Sequence, residues 1–131
     1  MPSPEITGLP HHLGVADVHA AAGHARAVLI VGEQHAVPGD PTRVHAGALV
    51  TLGDTVNGFG CLASLPDGAK SFATSMLTSS HTGTARVGDV LEADAIRVHG
   101  GRSTQLWDAT VRVAATGRVV ALVRCLQQLL Y

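Results

Sequence analysis

The sequence predicts an α+β domain in which an antiparallel sheet of about six strands wraps around one long central helix. Three observations predict it. Only the segment from His45 to Ala63 carries apolar residues at helical spacing. The segments before and after it carry β-branched runs and two-residue alternation, and Gly, Pro and Asp punctuate the chain between them.

Leu13 to Ala21 and His24 to Glu33 read as two strands separated by a turn at Gly23, the second built on the run Ala27-Val-Leu-Ile-Val31. Val37-Pro-Gly-Asp-Pro-Thr42 reads as a loop, because two prolines and a glycine fall within six residues. In the helix, Leu49, Leu52, Val56 and Phe59 form the buried stripe, and Gly47, Thr51, Asp54 and Gly58 share a face roughly opposite. Gly53, Gly58 and Gly60 each cost roughly 1 kcal/mol of helix propensity relative to Ala, so they imply close approach of another backbone. Leu65-Pro-Asp-Gly68 ends the helix. Four strands follow, Ser71 to Ser80, Val90 to His99, Thr104 to Ala114 and Arg118 to Leu129, with hairpin turns at Gly100-Gly101 and Thr116-Gly117. Trp107, Ala109, Val111 and Val113 point one way in the third of these, and Val119, Ala121, Val123 and Cys125 repeat the pattern in the fourth. Trp107 is accordingly expected in the core.

The chain has 131 residues, one domain's length, with residues 1–10 expected to be a loosely ordered lead. Apolar residues make up 46% and charged ones 15%, the balance of a folded protein whose weakly charged surface suggests self-association. Nine basic and ten acidic residues are scattered, so no basic stripe exists to track a phosphate backbone, and no nucleic-acid partner is expected. The longest apolar runs fall far short of a membrane span, and Met1-Pro-Ser-Pro-Glu-Ile6 lacks the basic and apolar regions of a signal peptide. A cytoplasmic location is the expectation, with Cys61 and Cys125 as buried, reduced core residues. The eight histidines spread over several elements without a His-Glu-x-x-His pattern or a paired Cys-x-x-Cys, so no metal is expected.

The helix start holds the chemistry. His45-Ala46-Gly47 leads into the apolar stripe, so the amides of Ala46 and Gly47 fall among the unpaired N–H groups of a helix N-terminus, which favour negative charge. A thioester carbonyl acquires such charge when attacked. The stretch His45-Ala-Gly-Ala-Leu-Val-Thr-Leu-Gly-Asp54-Thr-Val-Asn-Gly58 resembles the central motif of hotdog-fold acyl-CoA thioesterases of the phenylacetic-acid-degradation type, where His-Gly-Gly opens the helix and a carboxylate follows nine residues after the His. The Pro-Asp-Gly loop, Arg86-Val-Gly-Asp89, His99-Gly-Gly-Arg102 and Thr116-Gly-Arg118 fall where that family places turns, so the similarity covers residues 13–130.

This resemblance implies hydrolysis of an acyl-CoA or aryl-CoA thioester without metal or redox cofactor, CoA being part of the substrate. It assigns Asp54 as nucleophile or general base, an amide of Ala46 or Gly47 as oxyanion donor, and His45 as a neighbour. It also implies a homodimer or dimer of dimers (a homotetramer), with each site between subunits and the helix glycines allowing the approach. Around these, Thr51, Asn57, Gly58, Ser79, Ser80 and His81 are candidates for lining the substrate pocket. Arg86 and Arg102 are candidates for the CoA phosphates, since a guanidinium suits phosphate oxygens. Ala46 replaces the family's first Gly, and Gly39 stands where the family often has Asn or Gln to hold the water, with His35 or Asp40 as possible substitutes. The alternatives are a hydratase or dehydratase on the same fold, or a non-catalytic acyl-CoA-binding protein.

Overall fold

A computed structural model describes residues 4–131. The chain opens with a short helix, α1 (Gly8–His12), followed by β1 (Ala16–Ala21) and β2 (His24–Ile30). After a single 3-10 turn come β3 (Ala36–Val37) and β4 (Asp40–Val44), then α2 (Ala46–Ala63), β5 (Ser71–His81), β6 (Val90–Gly100), β7 (Thr104–Val113) and β8 (Val119–Leu130). Six strands form one antiparallel sheet in the order β1-β2-β6-β7-β8-β5, and β3 and β4 pair separately. The sheet curves around α2, which packs across β2, β6, β7 and β8. The architecture predicted from the sequence is the one observed.

Two expectations need correction. The lead is ordered in part: α1 begins within residues 1–10, at Gly8, and runs on to His12, while residues 1–3 lie outside the described residues. The segment 37–42 is not only a loop. Pro38 and Gly39 make the turn of the β3–β4 hairpin, and Gly39 occupies the left-handed region with φ of 76°, which a glycine adopts without a Cβ penalty. Pro41 is tolerated there because a two-strand ribbon leaves one edge of each strand unpaired.

The core follows the two periodicities. Gln105, Trp107, Ala109, Val111 and Val113 face α2 from β7, and Val123, Cys125, Gln127 and Leu129 face it from β8. Leu49, Leu52 and Val56 meet them from the helix and are buried. Trp107 is fully enclosed: its Nε1 donates to Gln105 Oε1 at 2.7 Å, and Gln105 Nε2 donates to Ser64 O at 2.8 Å, which ties the helix end to the sheet. Cys61 and Cys125 are both buried and unpaired, as expected.

Two of the helix glycines, Gly53 and Gly60, serve this packing. A Cβ on Gly53 would lie 2.5 Å from Val123 Cγ2, and one on Gly60 would lie 2.4 Å from Trp107 Cζ3. Both glycines are buried against the chain's own sheet. They let α2 settle close enough for its flank to meet β8, and that contact positions the candidate site. Among the described residues no helix is long and apolar enough to cross a membrane.

Candidate active site

Asp54 projects from the flank of α2 into the angle between the helix and the β8–β5 edge of the sheet. It is half-buried, and its Oδ1 lies 3.5 Å from the thiol Sγ of Cys125 on β8. The face opposite the apolar stripe was expected to look outward; in the fold Asp54 on that face turns sideways, toward Cys125 of β8. Burial holds the Asp54 carboxyl above the usual carboxylate range, and the hydrogen bond from Cys125 opposes that shift in part. A cleft of about 190 Å³ opens at this carboxylate, lined by Pro10, Gly58, Phe59, Leu62, Phe72 and Thr74 among others. The combination is a raised carboxylate in a mainly apolar, aromatic-walled cleft.

Thr74 and Phe72 were not singled out from the sequence. Thr74 Oγ1 donates to Gln127 Oε1 at 2.7 Å, which turns the hydroxyl lone pairs away from Gln127. Its signal was a threonine at the start of an unusually polar strand; only the pairing of Thr74 with Gln127 across β5 and β8 places it beside Asp54.

The helix start lies elsewhere. His45 is the N-cap of α2, and its Nδ1 accepts the Gly47 N–H at 2.8 Å. That bond fixes the ring tautomer with its hydrogen on Nε2. It also engages the Gly47 amide, so of the two expected oxyanion donors Ala46 N–H alone remains without a partner. His45 itself is held by its backbone, N–H to His35 O at 2.7 Å. Ala46 borders a hollow of about 360 Å³ with Arg43, His81 and Thr84. Eight residues of helix rise separate Ala46 from Asp54, about 12 Å along the axis. One thioester carbonyl cannot meet both within a single chain.

The remaining candidates divide clearly. Gly58 lines the Asp54 cleft. Thr51 turns its hydroxyl back to Gly47 O at 2.9 Å. Asn57 does not reach the cleft: it is fully buried and donates to Val123 O at 3.1 Å, anchoring α2 to β8. A bulge between Thr74 and Met76 sets the facing of β5. Ser79 and His81 consequently lie on the helix side, with His81 Nε2 and Ser79 Oγ 3.1 Å apart. Ser80 points the other way, into a groove of about 590 Å³ on the outer sheet face that it shares with Thr78, Asp108 and Arg124. That groove is larger than the Asp54 cleft, but its walls are a surface ion pair and its neighbours, and it does not communicate with the carboxylate. Arg86 lies in the β5–β6 connection, near the β4–α2 end, where Val87 N–H meets Pro41 O. Arg102 lies at the far end, where its carbonyl accepts from the Tyr131 hydroxyl. The two arginines cannot hold one phosphate from the same chain.

Neither substitute for the water-holding residue is available in that role. His35 is buried, with Nδ1 accepting from Gly32 N–H at 2.9 Å and Nε2 meeting Leu13 O at 2.5 Å. Asp40 is engaged by Thr42 and Arg43, which hold its carboxyl below the usual range. Among the described residues no three His, Cys, Asp or Glu side chains converge as metal ligands would.

Residues 42–121 match the Thioesterase superfamily, more than half of the chain. No curated protein sequence matches. Among solved structures the fold is similar to the E. coli PaaI protein from the phenylacetic acid degradation operon (TM-score 0.81, 24% identity, 93% of this chain and 83% of that one). It is similar to S. sahachiroi AziG (TM-score 0.86, 23% identity, 96% and 98%) and to smu.793 from Streptococcus mutans UA159 bound to acetyl CoA (TM-score 0.81, 22% identity, 95% and 93%). The six-stranded sheet wrapped on one helix is the hotdog fold.

Proposed function

Because the chain belongs to the thioesterase superfamily and is a thioester hydrolase, we propose that it cleaves acyl-CoA or aryl-CoA thioesters to the free acid and CoA with Asp54 as general base. The observation that carries this reading is the half-buried carboxylate of Asp54, raised by burial and facing an apolar cleft. An ionised base of raised pKa takes a proton from water more readily than an ordinary aspartate does. The acetyl CoA bound to smu.793 and the operon of PaaI support an acyl-CoA or aryl-CoA substrate here.

The reaction then runs without an added cofactor. Asp54 accepts a proton from water as the water oxygen attacks the thioester carbon. The Thr74 hydroxyl, aimed by Gln127, accepts the second water hydrogen. The carbonyl oxygen takes up negative charge against the Ala46 N–H and the positive end of α2. Collapse of the tetrahedral adduct breaks the C–S bond, and the proton on Asp54 passes to the departing CoA sulfur.

The separation between Ala46 and Asp54 requires the amide from a second chain. β5 is the outermost strand on the Asp54 side, and the apolar margin on that side comprises its exposed Leu77 and, at the cleft itself, the exposed Leu62 of α2. We assign this margin to a homodimer whose two sites each combine Asp54 of one chain with the helix start of the other. A cleft near 190 Å³ suits an acyl group of about one aromatic ring, since a dry apolar cavity of roughly 150 Å³ holds benzene.

Thiol release from a panel of acetyl-, hexanoyl-, benzoyl- and phenylacetyl-CoA tests the reading, beside hydration of an enoyl-CoA. Release of thiol, strongest for the ring-sized acyl groups, is expected. Hydration without thiol release would transfer the assignment to the hydratase alternative.

A further inference from the structure

The strand that faces Asp54 carries a group with no part in the reaction above. Cys125 is fully buried on β8, and its Sγ lies 3.5 Å from Asp54 Oδ1, within the reach of a sulfur donor. The approach is fixed on both sides. One turn of helix C-terminal to Asp54, the buried Asn57 donates to Val123 O, two residues before Cys125. Immediately N-terminal to Asp54, Gly53 lies on Val123 with no room for a Cβ. The helix-to-strand distance at Asp54 is therefore set by contacts that do not involve Asp54 itself.

The direction of the bond follows from the chemistry of the two groups. Burial pushes the Cys125 thiol up to about 12, so the sulfur carries its hydrogen near neutral pH, and an ionised carboxylate only accepts. With Oδ1 held on the inner side, the second carboxylate oxygen is the one left for the cleft.

We propose that Cys125 is a positioning residue for Asp54, its S–H donating to Oδ1 so that the other oxygen faces the substrate and the carboxylate stays ionised. The inference rests on the reading of Asp54 as the base. Cysteine suits the place because it supplies a donor with a largely apolar body, next to the buried Trp107 layer, where a hydroxyl would add a second buried polar atom needing partners.

The test compares Cys125→Ala, Cys125→Val and Cys125→Ser through kcat, KM and the pH profile of kcat/KM. Loss of a donor to the ionised form raises a carboxyl pKa. The acidic limb should therefore move to higher pH in the Ala and Val variants, with kcat falling about tenfold and KM little changed, as misplacement of a reacting group by a fraction of an ångström would give. The Ser variant, which keeps a donor, should return the limb toward the native position. An unmoved limb in Ala and Val overturns the proposal, and so does an equal displacement in all three, which would mark a packing effect. A readout independent of turnover is the infrared S–H stretch in a Cys61→Ala background. Its frequency should follow the protonation of Asp54 with pH, and should lose that dependence in Asp54→Asn. A native rate in Asp54→Asn, together with a pH-dependent S–H band in the protein that retains Asp54, would refute the base and leave the pair standing. An inactive Asp54→Asn variant with an unmoved limb in Cys125→Ala would refute the positioning role alone.

Discussion

Replacing Gly60 by Ala should destabilise the fold although it improves helix propensity. A Cβ at this position lies 2.4, 2.6 and 3.0 Å from three atoms of the Trp107 ring, so a separation of ordinary contact requires a shift of about 1 Å. The ring has little freedom to give. Trp107 has no exposed surface, and its Nε1 is held by Gln105, whose own amide holds Ser64 at the helix end. Overpacking a filled core costs roughly 1–3 kcal/mol, and the geometry here places the cost near the upper end. Helix propensity returns roughly 1 kcal/mol, leaving a net loss of about 2 kcal/mol. For a domain of this size that lowers Tm by roughly 6–10 °C. Gly58→Ala is the control: its Cβ would meet only the Phe72 Cζ at 3.1 Å, at the rim of the cleft, where the ring can turn aside. Its Tm should change by less than about 3 °C. Thermal denaturation at fixed protein concentration, with light scattering to read the assembly, distinguishes the cases. An unchanged or raised Tm for Gly60→Ala, or a selective loss of dimer with an intact fold, would refute the assignment of these glycines to the sheet.

Three further outcomes follow from the site. The pH profile of kcat/KM should fall on the acid side through a pKa above that of an ordinary aspartate, because only ionised Asp54 is a base and burial raises it; a limb at or below the usual value would contradict the burial argument. The same shift has a sign for stability. The folded state holds the proton on Asp54 more tightly than the unfolded chain does, so the charged form opposes folding above the folded pKa and relaxes as pH falls through it. Asp54→Asn should thus melt higher than the native protein at neutral pH, with the difference shrinking in acid; a lower Tm would contradict this. His45→Ala removes the acceptor for Gly47 N–H and should cost about 1 kcal/mol by denaturant titration. An unchanged midpoint would mean that the cap contributes nothing.

The strands and the long helix were legible because each has one buried face, so period and punctuation carry the boundaries to within three residues. The β3–β4 hairpin was not, since Pro38, Gly39 and Pro41 read as breakers whether they make a loop or a tight turn between short strands. Nor does a helical wheel say which side the sheet lies on; Gly53, Gly60 and Asn57 were read as outward or cleft-facing and are packed on β7 and β8. At the site, Asp54, His45 and Ala46 were found through a motif. The engagement of Gly47 by the His45 ring depends on a side-chain rotamer, and Thr74, Phe72 and Cys125 depend on strand register and a bulge. None of these is a sequence-local property. Ser80 was misplaced for the same reason: the bulge after Thr74 decides which of Ser79 and Ser80 faces the helix.

The most direct test of a site shared between chains is complementation by mixed subunits. Ala46→Pro deletes the remaining amide donor at the first helical position, where proline is well tolerated. His45, with φ −67° and ψ 135°, already has the backbone that precedes a proline. This variant and Asp54→Asn should each lose about 10²-fold or more in kcat on their own. Unfolded together in equal amounts and refolded, they should recover about one quarter of native thiol release, because half of the symmetric dimers are mixed and each mixed dimer holds one intact site. No recovery from mixed dimers of confirmed composition would contradict a site built from Asp54 of one chain and Ala46 of the other.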